Sequence, residues 1–231
     1  MSGFSPAFER LGAALAAVVL QQQETLAEFL PREDWSADLT ARTYTSGGVT
    51  VRVSLLGSYA ARERTWLWGW ANPQFGADHP AVVPTLGIRT LGERLGIPEF
   101  TTPEVDLGWY EGPAGHGGEL VAMAAGGVLG GGGYIGAGYD GGSAYLHVDD
   151  PQAPPAAWDP VPVARLLTNA VSLFPADPRL TLARLLSRHR VPYRETETSI
   201  EARPPGGPAR AHFDARGRFA GWEAELTAVR H

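Results

Sequence analysis

The stretch Tyr44-Thr45-Ser46-Gly47-Gly48-Val49-Thr50-Val51-Arg52-Val53-Ser54-Leu55 decides the fold class. Val49, Val51, Val53 and Leu55 recur at period two, which puts them on one face of an extended strand. Ser46-Gly47-Gly48 ahead of them is turn chemistry, because glycine enters the left-handed region without steric cost. A strand over 49–59 is therefore expected to fold back on one over 39–45. A third period-two run, Thr65 to Ala71, extends this antiparallel meander and places Trp66, Trp68 and Trp70 on one face.

Working outward, the segment before the meander reads as a long helix from Pro6 to Leu30. Ser5 suits the N-cap, Pro6 the first turn and Pro31 the stop, with apolar residues at helical spacing between them. Its ten apolar residues Leu11 to Leu20 are too few to span a bilayer. As a signal peptide the segment is poor, since Glu9 offsets Arg10 and no small-residue cleavage site follows. It is taken as an amphipathic helix of a cytoplasmic protein.

After the meander a helix from Pro84 to Gly96-Ile97-Pro98 is expected, then a short extended segment between Thr101 and Tyr110. Fourteen of the 29 glycines fall between Gly112 and Gly142. Within them Glu119 to Leu129 reads as a buried helix ended by Gly130 to Gly133, and Ser143 to Val148 as a strand. Pro151 to Pro162 holds five prolines in twelve residues. Helices over 163–173 and 178–189 follow, then a β-meander over 193–202, 209–214 and 218–226. The fold class is α+β: antiparallel β-meanders covered by helices, with a long N-terminal helix. About 70 residues beyond the prolines would be marginal alone, which favours one compact domain over 1–231. The alternative is two domains, 1–150 and 163–231, joined by a Pro-rich linker over 151–162.

Composition removes several chemistries. All 19 basic residues are Arg, so Schiff-base lysines and Walker-type phosphate loops are excluded. This Lys-free, Ala-, Gly- and Pro-rich usage points to a GC-rich genome. The absence of Cys excludes disulfides, thiol nucleophiles, Cys-ligated zinc and iron–sulfur clusters. A net charge of −6 gives no basic field for nucleic acid or an anionic membrane. Gly131-x-Gly133-x-x-Gly136 and Gly136-x-Gly138-x-x-Gly141 match a dinucleotide fingerprint only in letters, since a helix precedes and a strand follows. Gly141-Gly142-Ser143-Ala144-Tyr145 lacks the last glycine of a nucleophile elbow. Arg179, Arg184, Arg188, His189, Arg190 and Arg194 form a basic cluster that either docks an anion or is a solvated face paired with Glu195 and Glu197.

Two constellations remain. Trp66, Trp68 and Trp70 are either an aromatic platform for a ligand or the centre of the core under the first helix. His116 and Glu119, with His147 and Asp149, offer imidazole and carboxylate groups for acid/base work or for a metal; the structural alternative is scattered surface or core histidines.

Trp66-Leu67-Trp68-Gly69-Trp70-Ala71-Asn72-Pro73 and Tyr139-Asp140-Gly141-Gly142 resemble a family of uncharacterised bacterial proteins, a domain of unknown function common in high-GC organisms. The resemblance covers about residues 4–150 and brings no catalytic residues. It implies the same order of elements; the binding-protein reading, separately, expects a concave or apolar patch near the Trp strand or at Tyr139 and Asp140. The function expected is that of a non-catalytic small-molecule or protein-binding protein, without cofactor, and compatible with a homodimer. The alternative is a hydrolase whose His/carboxylate site is drawn from loops.

Overall fold

The computed structural model describes residues 3–76, 78–113 and 115–225. These fall into two compact units, one formed by Met1–Phe8 with Gln22–Pro155 and the other by Glu9–Gln21 with Ala156–His231. The break after Pro155 lies inside the expected Pro-rich stretch. The fold is α+β with antiparallel sheets and a long first helix. No helix among the described residues is long and apolar enough to cross a membrane.

Helix α1 spans Pro6–Phe29. Its N-cap is Ser5, whose hydroxyl accepts from the Phe8 N–H at 3.2 Å and donates to the buried Glu99 carboxylate at 2.7 Å. In the larger unit β1 (Trp35–Asp38), β2 (Thr43–Ser46), β3 (Val49–Ala60), β4 (Thr65–Trp68) and β5 (Glu104–Asp106) form a sheet that β7 (Gly142–Val148) and β6 (Tyr134–Tyr139) complete. The turn expected at Ser46-Gly47-Gly48 is made by Gly47 and Gly48 alone, at φ 54° and 79°, with Ser46 closing β2 opposite Val49.

Strand β3 organises this sheet. It pairs β2 along 49–52, β4 along 57–60 and β7 along 53–60. Because the pairings with β4 and β7 overlap, they lie on opposite edges of β3. The register with β7 slips at Leu56. Up to Leu55 the odd residues join Leu26, Leu30, Tyr44, Leu146 and Val148 on one face. Beyond the bulge Gly57 and Tyr59 join Trp66, Trp68 and Tyr145 on the other, since one extra residue inverts the alternation. Gly57 leaves room for the indole of Trp66: a Cβ there would come within 2.7 Å of the ring.

Helix α4 (His116–Leu129) covers this second face with small residues. Gly118 sits over the Tyr59 ring, where a Cβ would approach to 2.9 Å, and Gly126 lies against Tyr134. Helix α2 (Val83–Leu95) ends at Gly96, φ 65°, as expected. Pro98, read as a stop, instead begins the short helix α3 (Pro98–Thr101), in which proline suits the first turn.

Three further expectations change. The Trp strand stops at Trp68, and Gly69–Ala71 turn through a single 3-10 turn, so Trp70 leaves the face that Trp66 and Trp68 share. Strand β1 covers residues the sequence leaves unassigned. Strand β6 forms inside the Gly-rich stretch.

In the second unit α5 (Val163–Leu173) and α6 (Pro178–Arg188) fall where periodicity puts them. Strands β8 (Tyr193–Glu195), β9 (Ser199–Ala202), β10 (Ala209–Phe213) and β11 (Phe219–Ala224) pair in sequence order as a meander. Leu226, the expected end of the last strand, lies outside the described residues. Residues 9–21 of α1 contribute a small-residue stripe to this unit, with Gly12 so close to the Phe174 ring that a Cβ would meet it at 2.2 Å. Arg179 bonds the carbonyls of Glu197 and Ser199 and stacks over Phe213, and Arg194 pairs with Glu201, so these members of the basic cluster are internally engaged.

Candidate functional site

Among the described residues strand β6 pairs with β7 alone, and its other side is an edge of the sheet. Gly133 accepts from Val148, so its carbonyl points toward β7. By the alternation of a strand, Tyr134, Gly136 and Gly138 point their N–H and C=O groups away from β7. The carboxamide of Gln23 confirms this at Tyr134, accepting from its N–H at 2.8 Å and donating to its carbonyl at 2.9 Å. Gly136 and Gly138, the next two positions on that edge, are exposed.

A cleft of about 610 Å³ opens along this edge. On the side of the first sheet face it is walled by Leu30, Ile135 and Tyr44, with the half-exposed Trp35 ring stacked on Tyr44 at 5.7 Å. On the other side it reaches Glu119, Tyr134 and Tyr145. Glu119 stands in the first turn of α4 and is exposed, with Oε1 3.4 Å from the Tyr134 hydroxyl. Burial, and then the Glu119 charge, raise the Tyr134 hydroxyl far above its ordinary range and push that of Tyr145 up to about 12. Both phenols therefore stay protonated at neutral pH and can donate toward a carboxylate or a ligand. The arrangement combines an aromatic shelf, a fixed negative charge flanked by neutral phenols, and backbone groups open to solvent.

The residues singled out from sequence scatter around this cleft. Trp66 and Trp68 have no exposed surface, so the three-indole platform is replaced by a core pair, crossing edge to face at 5.4 Å. Trp70 is partly exposed, with the Arg89 guanidinium 5.0 Å above its ring. Tyr139 and Asp140 lie at the β6–β7 turn, where Gly141 takes φ 88°. Tyr139 is half exposed and ends β6, three residues beyond the cleft-lining Gly136.

His116 and Glu119 open α4, whereas the His147 ring bonds the Gly130 carbonyl just past its end at 2.6 Å. Fourteen residues at 1.5 Å each set these ends ~20 Å apart. The four groups are thus divided between two places. Asp149 accepts from Ser54 at 2.9 Å and from the Arg52 Nε at 2.6 Å, and pairs with Arg42. No group of three or more His, Asp or Glu side chains suited to a metal forms among the described residues.

His147 is buried, with Nδ1 lacking a hydrogen-bond partner among the described residues. Burial lowers its pKa, against smaller raising effects from the Gly130 carbonyl and Asp149, while Arg42 lowers it further. The folded form thus resists a proton that the unfolded chain takes up near 6.5. Stability should be full above pH 6.5 and decline as pH falls below it toward the lowered pKa. A His147→Leu variant should lose part of this acid-side slope in denaturant midpoints measured from pH 7 to 5. Part should remain, because burial lowers the pKa of His189 as well.

Fold and site together define an α+β protein with a cleft set against an unpaired strand edge. The chain belongs to a family of unknown function (DUF6882), whose model matches residues 9–151. No curated protein and no solved structure matches the chain. The sequence reading missed Gly136, Trp35, Tyr145 and Gln23. The strand signal around Gly136 was masked by glycine, and Gln23 is one of three successive glutamines with nothing local to distinguish it.

Proposed function

We propose that this is a non-catalytic binding protein that recognises a small molecule or another protein in the cleft beside β6. The observation that carries the reading is the joining of a half-exposed Trp35, stacked on Tyr44, to the Glu119–Tyr134–Tyr145 group within one concave site. A nucleic-acid partner is disfavoured by the formal charge of −6. The Lys-free, Arg-, Ala-, Gly- and Pro-rich composition supports a bacterial source, and the setting is taken as cytoplasmic. Residues 1–231 are taken to act as one molecule.

A fragment library screened by amide NMR against the full chain tests the cleft itself. Fragments are expected to shift the Gly136 and Tyr145 amides and the Trp35 indole signal. Hits that leave all three unmoved, or no hits at all, would remove this site from consideration.

A further inference from the structure

We propose that the occupant of this cleft is an extended peptide of another protein, which adds to β6 as an antiparallel strand and carries a basic residue between two apolar ones. The proposal rests on the binding-site reading above and specifies its ligand class.

Exposed strand edges invite pairing, and proteins blunt them with charge, proline or a cover. The other edge strands follow that rule among the described residues: β1 has Asp38, β5 has Glu104 and Asp106, β8 has Arg194 and Glu195, and β11 has Glu223. Strand β6, Tyr134-Ile135-Gly136-Ala137-Gly138-Tyr139, has neither charge nor proline. Beyond Tyr134 its two remaining edge-facing positions are exposed glycines, a residue that weakens a strand unless another backbone must come close. Gln23 already imitates a pairing strand at Tyr134, and the next two sets of backbone groups continue that line into open space.

The register then dictates the side chains. Residues directly opposite one another in a pair share a sheet face. A peptide residue opposite Gly136 therefore points to the face of Tyr145 and Glu119, where the glycine leaves room for it and the carboxylate favours a cation. Its neighbours on either side point to the opposite face, toward Ile135, Leu30 and the Trp35 shelf, which favour apolar groups. A second copy of this chain fits less well. An antiparallel β6–β6 pair needs a twofold axis perpendicular to the sheet, which would add a second Glu119 to the same face.

The test uses the full chain and dye-labelled, blocked peptides Thr-Val-Arg-Val-Thr and Thr-Val-Glu-Val-Thr, with binding read by fluorescence anisotropy. The arginine peptide is expected to bind at least about tenfold more tightly. Gly136→Pro deletes the outward N–H while sparing the bonds to β7, and a Cβ there makes only ordinary contact, 3.5 Å from Tyr145. That variant, and separately Glu119→Gln, should each weaken the arginine peptide by about tenfold at unchanged thermal stability. Equal binding of both peptides, or full binding by Gly136→Pro, overturns the proposal. So does a dimer in sedimentation that Gly136→Pro dissociates, which would make a second copy the occupant. If fragments occupy the cleft while neither peptide binds, strand addition is wrong and the binding site stands; if neither fragments nor peptides bind, both fall.

Discussion

Trp66→Ala is expected to lower unfolding free energy by about 3–5 kcal/mol, the largest single-residue loss in the larger unit. Trp66 has no exposed surface and packs on Trp68 and on the Tyr145 ring at 5.2 Å. Its space is bounded by the backbone of Gly57, which cannot collapse into the vacated volume without breaking two strand pairings. A protein stable by roughly 5–15 kcal/mol would lose about a fifth of its margin at the least. Phenylalanine separates the two buried indoles further. Trp66 Nε1 has no hydrogen-bond partner among the described residues, so Trp66→Phe forfeits volume only. Trp68 Nε1 donates to the Glu99 carbonyl at 2.8 Å, so Trp68→Phe also strands a buried acceptor and should cost more. Urea melts of the three variants check both the size and the order; a Trp66→Ala protein within about 1 kcal/mol of the parent would show that this pair is not the centre of the core.

Asp149→Ala is expected to cost about 2–4 kcal/mol. Its carboxylate collects Arg42, Arg52 and the Ser54 hydroxyl, and the side chains of Asp149 and Arg42 are each only 22% exposed. Removing the anion leaves the Arg42 guanidinium facing Ser54 and the Val53 carbonyl with no counter-charge. Arg42 holds this place with a left-handed backbone, φ 58°, a conformation that most side chains resist. The same urea melts provide the measurement. Adding Arg42→Ala should recover part of the loss, because the two residues act as one unit.

Local chemistry made the first helix, the β2–β3 hairpin and the end of α2 legible. Ser5-Pro6, Gly47-Gly48 and Gly96 each act within a few residues of where they stand. The bulge at Leu56 was not legible, since Val53 to Tyr59 looks continuous and the extra residue is defined only by the partner strand. Strand β6 was hidden for a related reason. Gly136 and Gly138 argue against a strand on propensity, and pairing with β7 overrides that argument. The candidate site inherited the gap. Glu119 was noticed for its spacing from His116, yet its working neighbours Tyr134 and Tyr145 are brought to it by β6 and β7. Tyr139 and Asp140 stand at the turn of the same β6–β7 hairpin, at the end away from Tyr134. His147 in β7 and Asp149 just past its end are engaged by the Gly130 carbonyl and by Arg42, partners that carry no catalytic signature.

The first helix serves both units: residues 9–21 are grouped with the chain from 156 onward, and residues 22–29 with what lies between. Ala13, Ala16 and Ala17 have no exposed surface. On a ribosome these alanines emerge about 135 residues before the rest of their unit begins to appear. At ~5–20 residues per second that interval is roughly 7–27 s. During it the nascent chain carries an unsatisfied stripe of small apolar residues, so the second unit must close around a helix made long before its own sheet. Any chaperone that attends this protein during synthesis has its natural target there.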